Sequence, residues 1–151
     1  MWCNIDEMLS KTCEYAIRAL IYLAQHSGEG QMVSIKEIAG KIDSPELFVG
    51  KILQGLSKQG FLQSAKGRYG GFYMNEQDVK KSLADIVIAI DGDKIFTGCG
   101  VGLDYCSETK PCPIHHEYKK ARNILHNLYQ SATFEQFKSL DAGETIMLKR
   151  I

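Results

Sequence analysis

Residues 34–73 read SIKEIAGKIDSPELFVGKILQGLSKQGFLQSAKGRYGGFY, and this stretch decides the fold. Ser34 and Glu37 have the spacing of a capping box and predict the start of a short helix. Ser44 and Pro45 suit the N-cap and the first position of a second helix. The second helix repeats apolar residues at steps of three and four: Val49, Ile52, Leu53 and Leu56. One face of this helix is therefore predicted to be buried.

The opposite face of the second helix is basic and amide-bearing. It presents Leu47, Lys51, Gln54 and Lys58. Lysine and glutamine side chains can reach base edges and phosphates in the major groove of DNA. Between residues 47 and 75 the chain has no Asp or Glu and four cations: Lys51, Lys58, Lys66 and Arg68. This segment is basic in a chain of zero formal net charge, which favours a polyanion as the partner.

A glycine-rich hairpin follows the helix pair. Residues 61–65 and 72–74 predict two short strands, joined by the turn KGRYGG at 66–71. Lys66, Arg68 and Tyr69 lie at the tip, as in the wing of a DNA-binding domain. The plain alternative is an ordinary helix pair with a hairpin whose charges are only solvated. The charge asymmetry favours DNA binding over that alternative.

Several runs in this stretch resemble the winged-helix repressors typified by the iron-sulfur regulator IscR and the nitric-oxide regulator NsrR. They are IAGK at 38–41, PELFVGKIL at 45–53 and KGRYGGF at 66–72, with LSK at 9–11 and YAIRAL at 15–20 upstream. The resemblance implies a mainly α fold with a small β-wing, a winged helix-turn-helix DNA-binding domain and a long dimerisation helix. It adds Ser10, Lys11 and Phe48 to the DNA-binding residues. Lys66 replaces the family's usual Arg, keeping the charge without the bidentate fork.

Composition agrees with a cytoplasmic protein of this class. The chain has 151 residues, which suits one domain or a small domain with an extension. The longest apolar run, residues 86–90, is too short to span a bilayer, and no signal-peptide pattern precedes the first helix. Five cysteines, an odd number, fit a reduced, ligand-bearing protein better than a disulfide framework.

Three cysteines and a histidine fall in a loop rich in glycine and proline: Cys99, Cys106, Cys112 and His115. Three thiolates and an imidazole this close together can hold a soft metal or an iron-sulfur cluster in a reduced compartment. The spacing differs from that of zinc fingers, whose cysteine pairs lie two to four residues apart. Zinc, a thiol-disulfide switch and a flexible loop with scattered cysteines remain alternatives.

The resemblance extends to this loop. Cluster-binding relatives carry three cysteines here, before a long helix, and IscR carries a histidine three residues after the last one, as His115 follows Cys112. The gap between Cys99 and Cys106 is one residue longer than usual, so 2Fe-2S and 4Fe-4S clusters both remain open. The resemblance also implies that a carboxylate of the first helix, here Glu14, can serve as the fourth ligand across a dimer. Glu14 and His115 compete for that role, with His116 a third candidate.

Apolar periodicity predicts three further helices. The first runs from about residue 11 to residue 25 and buries Cys13 as a small hydrophobe. Ser82 starts another helix, with capping-box spacing to Asp85, and Gly92 ends it. A long helix from residue 117 to about 131 carries a stripe with the spacing of a helix-helix seam. This stripe is predicted to join two copies: Tyr118, Ala121, Leu125, Leu128 and Ala132.

The predicted organisation has five segments. They are an N-terminal extension (1–8), the winged helix-turn-helix domain (9–82), a connecting helix and linker (83–98), the cysteine-rich ligand loop (99–115), and the dimerisation helix with a C-terminal tail (116–151). In that tail, Phe134 and Phe137 indicate a short docking helix.

The predicted function is a homodimeric transcriptional regulator, with repression as the expected sign. Two second helices would meet a roughly palindromic operator with half-sites about one helical turn apart. An iron-sulfur cluster in the loop would alter their spacing or tilt. One alternative senses thiol oxidation or zinc without a cluster, and another is a redox or electron-transfer protein on a winged-helix body. An enzyme is not expected, because no nucleophile, base and orienting group can be assembled from these residues.

Overall fold

The computed structural model describes residues 8–140 and Leu148. In order along the chain, its elements are α1 (Lys11–His26), α2 (Ile35–Ile42), α3 (Glu46–Lys58), β1 (Gln63–Ala65), β2 (Gly71–Tyr73), a 3-10 turn (Asp78–Lys80), α4 (Leu83–Asp91), α5 (Lys94–Thr97), α6 (His115–Ser131) and α7 (Phe134–Lys138). The predicted fold class, mainly helical with a two-stranded wing, is confirmed. Within this part of the chain, no helix is both long and apolar enough to cross a membrane.

Two predicted helix starts are confirmed by their caps. The Ser34 hydroxyl accepts a hydrogen bond from the Glu37 backbone N–H at 3.2 Å and starts α2. Ser82 and Asp85 form a full reciprocal capping box at the start of α4. Glu37 does not complete a box of its own, because its carboxylate accepts a 2.7 Å hydrogen bond from the Tyr22 hydroxyl. That bond ties α2 to α1.

The predicted start of α3 is wrong by one residue. Pro45, not Ser44, is the N-cap, and the helix begins at Glu46. Asp43 takes the left-handed conformation at φ 54° to end α2. The Ser44 backbone N–H then donates to the Ala39 carbonyl at 3.0 Å. Ser44 therefore closes the preceding helix, and its buried hydroxyl has no hydrogen-bond partner among the described residues.

Two apolar clusters hold the molecule together. The larger unites the first three helices, the wing and α7, whose Phe134 is fully buried, so the predicted docking helix is confirmed. The smaller contains Cys13 of α1, Val87 of α4 and Phe96 of α5, with Leu125 of α6 packed against it. The burial of Cys13 confirms its predicted place in the core. The long helix α6 is therefore attached to the body chiefly through the smaller cluster.

The wing is joined to the segment that enters α2. Its strands are antiparallel and pair Ser64 with Phe72, and Phe72 also bridges to Val33. Gly71 makes this close approach possible, because a Cβ there would lie 2.5 Å from the Val33 carbonyl oxygen. A Cβ on Gly70 would lie even closer to the Ala65 carbonyl oxygen. Backbone contacts thus fix the hairpin beside the segment that enters α2.

Candidate DNA-reading surface and cysteine loop

The outward face of α3 is the one predicted from the sequence. Val49 and Leu53 are buried, whereas Leu47 is 84% exposed and its basic and amide neighbours point the same way. After Glu46 in the first turn, the exposed polar residues on this helix are Lys51, Gln54 and Lys58. A helix with one buried stripe and one basic stripe can lie along a polyanion. We call residues 34–73 the reader.

A groove of about 610 Å³ runs between α3 and the wing. Its walls include Gln54, Ser57, Lys58, Ser64, Lys66 and Gly70. Lys66, Arg68 and Tyr69 are exposed at the wing tip, as predicted, with the Arg68 guanidinium 5.8 Å from the centre of the Tyr69 ring. The groove and the tip therefore offer cations and hydrogen-bond donors on one continuous surface, which suits phosphate and base-edge contacts.

Ser10 and Phe48, assigned to DNA binding through the resemblance, have partners inside the chain. Ser10 caps α1, and the Asp91 carboxylate accepts its backbone N–H at 2.8 Å and its hydroxyl at 2.5 Å. Phe48 is half-buried, with its ring edge-on to Tyr15 at 5.4 Å between centroids. Lys11 is exposed and lies 3.8 Å from the Glu14 carboxylate. DNA contact by Ser10, Lys11 and Phe48 stays a prediction.

The cysteine loop, residues 99–115, lies between α5 and α6. Helix α6 begins at His115, two residues before the predicted start, and the His115 backbone N–H donates to the Cys112 carbonyl at 3.0 Å. A Cβ on Gly100 would lie 2.6 Å from the Tyr118 ring, so the loop backbone rests directly on α6. The loop that contains the predicted ligands therefore rests on the N-terminal part of the long helix.

The four predicted ligands form two pairs. The Cys106 sulfur lies 3.2 Å from His115 Nδ1. Cys99 lies beside Cys112, and the backbone N–H groups of Val101 and Leu103, with the Cys112 side chain, lower the pKa of the Cys99 thiol. All three thiols are free and partly exposed. Within residues 8–140, no three His, Cys, Asp or Glu side chains converge in a metal-binding arrangement.

The donor set nevertheless fits a soft metal group. The His115 side chain is buried, its Nε2 lies 3.2 Å from Glu108 Oε2, and this nitrogen has no hydrogen bond to the described residues. Lys119 and then His115 lower the pKa of the Glu108 carboxyl. Thiolates with one imidazole are the donors that iron-sulfur clusters and zinc take in proteins. The loop supplies these donors from a single segment.

The two other proposed ligands lie on different helices, His116 on α6 and Glu14 on α1. The His116 ring is edge-on to His115, with 5.1 Å between centroids. Glu14 is in the first turn of α1. Its predicted role belongs to a dimer, in which it would come from the partner chain.

The predicted seam of α6 is only partly on the surface. Ala121 and Leu128 are exposed, and Tyr118 is partly exposed over Gly100. Leu125 packs against the chain's own smaller cluster, and Ala132 is half-buried.

Sequence reasoning missed two α6 residues. Ile124 is 71% exposed and continues the stripe of Ala121 and Leu128. Arg122, a charged residue outside the predicted seam, is buried. The step of three from Ala121 to Ile124 could have indicated the exposed stripe, whereas nothing in the sequence indicates what Arg122 contacts.

Comparison with known proteins gives one family. The family described as "Rrf2: Iron-dependent Transcriptional regulator" matches residues 9–139. A protein of Aquifex aeolicus (strain VF5) with "HTH-type transcriptional regulator" in its name is 28% identical over 145 residues, covering 95% of this chain and 99% of that protein. The "HTH-type transcriptional regulator NsrR" of Bacillus licheniformis is 25% identical over 128 residues, covering 84% and 89%.

Solved structures share the fold. The structure of CymR, described as the global cysteine regulator of B. subtilis, superposes with a TM-score of 0.70 at 22% identity, covering 88% of this chain and 97% of that one. The structure of T. potens IscR superposes with a TM-score of 0.64 at 21% identity, covering 95% and 96%.

Proposed function

The chain belongs to the Rrf2 family of transcriptional regulators, and within it we propose a homodimeric operator-binding repressor that senses through an iron-sulfur cluster held by Cys99, Cys106 and Cys112. Members of this family are regulators and not enzymes. The observation that carries the proposal is the pairing of a basic reader with a loop of three free thiols packed on α6. The reader would bind the operator, and the cysteine loop would hold the sensing cluster.

The reader supports DNA recognition by charge and by shape. Lys51 and Gln54 project from the exposed face of α3 toward a partner, while the wing tip adds Lys66 and Arg68. In this arrangement α3 enters the major groove and the wing contacts the flanking backbone or minor groove. Phosphate contacts set the position and the polar side chains of α3 select bases.

The exposed stripe of α6 supports a homodimer. Ile124 and Leu128 are 71% and 59% exposed and lie beside Ala121 on one face. Apolar residues at this spacing on a long helix favour packing against a second helix, and a two-fold axis would set two readers at palindromic half-sites. We therefore revise the predicted seam by replacing Leu125, which faces the chain's own core, with Ile124.

The cysteine loop supports a ligand-dependent switch. Cys99, Cys106 and Cys112 would hold the cluster, with His115 or the partner's Glu14 as the fourth ligand. When bound, the cluster would supply redox and nitrosative reactivity. The chain's own residues would provide the readout, because His115 and Cys112 lie at the start of α6. Bringing two separate pairs of ligands to one centre would reorder the loop and bias the angle between the two readers.

A second candidate sensing mode has an observation of its own. Cys99 and Cys112 already lie side by side without metal. An oxidant could link these two thiols as a disulfide, and Cys106 would not have to move toward them. Zinc binding by the same loop, and electron transfer on a winged-helix body, are further alternatives that the experiments below separate.

The DNA-binding part is tested by titration. A duplex selected from a random pool is titrated at several salt concentrations with the wild type, Lys51→Ala and the control Lys120→Ala. Lys120 is an exposed cation of α6, remote in sequence from the reader. We expect Lys51→Ala to weaken binding about tenfold and to reduce the salt slope by about one. Equal affinities for all three proteins would contradict this assignment of the reader.

The sensing part is tested by anaerobic purification with absorption spectra and iron, sulfide and zinc analysis. The wild type is compared with Cys106→Ala and with the control Cys13→Ala. Cys13 is a core residue. We expect a brown wild type and a brown Cys13→Ala protein, with the colour lost in Cys106→Ala. Colourless protein with zinc, or with a Cys99–Cys112 disulfide after oxidation, would select the corresponding alternative. Equal DNA affinity with and without the cluster would reject the cluster as a switch.

The dimer is tested by sedimentation. We expect Ile124→Asp to shift the protein toward monomer, because a charge would enter an apolar seam. Asn123→Asp adds the same charge at the adjacent exposed position and should leave the oligomeric state unchanged. A wild type that is monomeric at micromolar concentration would rule out this seam.

A further inference from the structure

Arg122 is a buried cation on α6. Its side chain is about 9% exposed, and its Nη1 donates to the carbonyl oxygens of Thr97 at 3.1 Å and Gly98 at 2.6 Å. These carbonyls are the last of α5 and come directly before Cys99. A side chain of the long helix thus holds the backbone that leads into the first proposed ligand.

The hydrogen bonds of the Arg122 guanidinium to the described residues go to carbonyl oxygens. In the described part of the chain it forms no ion pair with a carboxylate, and its Nε has no hydrogen-bond partner. Burying a guanidinium in this way is expensive, and an apolar residue of similar size would stabilise the fold at least as well. The arrangement therefore suits a site at Cys99 whose function needs a fixed hydrogen-bond donor and a positive charge close to it.

A second α6 residue holds the backbone on the other side of Cys99. The Tyr118 ring lies against Gly100, where a Cβ would come within 2.6 Å of it. Tyr118 and Arg122 are four residues apart, so they share one face of the helix. They contact the residues just after and just before Cys99. Cys99 is therefore bracketed by two points of the same helix.

We propose that Tyr118 and Arg122 form a clamp that fixes Cys99 on α6 before any cluster binds, and that the Arg122 charge stabilises the negatively charged group held there. Arg122 is a positioning residue, because it acts through the backbone of Cys99. The second half of this statement rests on the proposed cluster, whereas the clamp itself does not. Because the clamp belongs to α6, a displacement of Cys99 is transmitted to the helix with the exposed dimer stripe.

The clamp is tested first in the metal-free protein by amide hydrogen exchange. The reporters are Gly98 N–H, bonded to the Lys94 carbonyl at 2.7 Å, and Gly102 N–H, bonded to the Cys99 carbonyl at 3.1 Å. We expect Arg122→Gln to speed their exchange about tenfold or more, the size of one lost hydrogen bond to a charged group. Arg122→Lys should restore part of the protection. Lys120→Gln removes an exposed charge from the same helix and should change nothing.

The loaded protein gives a second measurement. We expect cluster loss to a chelator to be about tenfold to a hundredfold faster in Arg122→Gln than in the wild type, with a lower reduction potential. Exchange within twofold of the wild type in Arg122→Gln would overturn the clamp, and if that variant does not fold, the same criterion is applied to Arg122→Met, which also removes the donor to the Thr97 and Gly98 carbonyls. A wild type that takes up no cluster would overturn the proposed sensing function, while amide exchange would still decide the clamp.

Discussion

The reader and the cysteine loop are built on opposite principles. The reader consists of regular helices and a hairpin whose apolar residues, such as Leu53 and Phe72, are buried in one cluster. The cysteine loop has no helix or strand between α5 and α6 and leaves apolar side chains such as Leu103 54% exposed. It is positioned by contacts with one helix, through Arg122, Tyr118 and His115. The reader is held by an apolar core that it shares with α1 and α7, whereas the loop is held by its contacts with α6.

This difference suits the two tasks. A surface that reads DNA must keep its shape, because a base contact fails if the helix is displaced. A sensing loop must rearrange when its ligand binds or leaves, so its local stability has to be low. The loop is also attached to the helix with the exposed apolar stripe, which gives its rearrangement a route to the second copy.

The largest expected contrast is between the core cysteine of α1 and the cysteines of the loop. Cys13 is fully buried in the smaller apolar cluster, and burial, followed by the charges of Asp91 and Glu14, raises its pKa from 9.0 to about 12. The thiolate is the form of cysteine that reacts. Raising the pKa from 9.0 to about 12 therefore lowers the thiolate fraction, and with it the alkylation rate, about a thousandfold. We expect iodoacetamide to label the partly exposed loop thiols of the metal-free protein while Cys13 remains unlabelled below pH 9, as measured by peptide mass spectrometry. Rapid labelling of Cys13 in folded protein would contradict the rigid core assigned to this region.

The next contrast concerns stability. Leu53→Ala removes a fully buried side chain from α3 and should lower the free energy of unfolding by about 2–5 kcal/mol. Leu103→Ala makes the same chemical change in the exposed loop and should stay within about 0.5 kcal/mol of the wild type. Both are measured by urea unfolding of metal-free protein. A comparable loss in the two variants would mean that the loop has a core of its own.

The same contrast explains what the sequence could predict. Ser34 and Ser82 were recognised as caps because a cap is decided by residues within one turn. The exposed face of α3 followed from its apolar periodicity, with Leu53 inside and Lys51 outside. The position of the wing followed from glycines that only a tight hairpin requires. Local rules therefore describe most of the reader, and the family resemblance added the rest.

The failures lie where tertiary contacts decide. Leu125 and Ile124 are neighbouring apolar residues, and only contact with the smaller cluster selects Leu125 for the interior. α5 has four residues, too few to show a period. Arg122 is recognisable as buried only when the Thr97 and Gly98 carbonyls lie above it. The grouping of Cys106 with His115, and of Cys99 with Cys112, likewise depends on how the loop returns to α6.

The smallest expected effect is at the contact between α1 and α4, which lies outside both regions. Asp91, at the end of α4, accepts two hydrogen bonds from Ser10 and so ties the first helix to the segment that leads to Cys99. Asp91→Asn keeps one acceptor but loses the charge, and because the pair is exposed we expect a loss of about 0.5–1 kcal/mol in urea unfolding. Asp93→Asn, an exposed neighbour whose side chain makes no capping bond, should have no effect.

The DNA affinity of the Asp91→Asn protein tests whether Asp91 couples the cysteine loop to the reader. If α1 and the cysteine loop communicate through Ser10, the ratio of affinities with and without the bound ligand should fall, while the affinity of the metal-free protein stays nearly constant. That result would distinguish a coupling residue from a merely stabilising one, because a stabilising residue shifts unfolding without altering the ratio. An unchanged ratio together with reduced stability would place the route between loop and reader elsewhere, with α6 and the second copy as the remaining path.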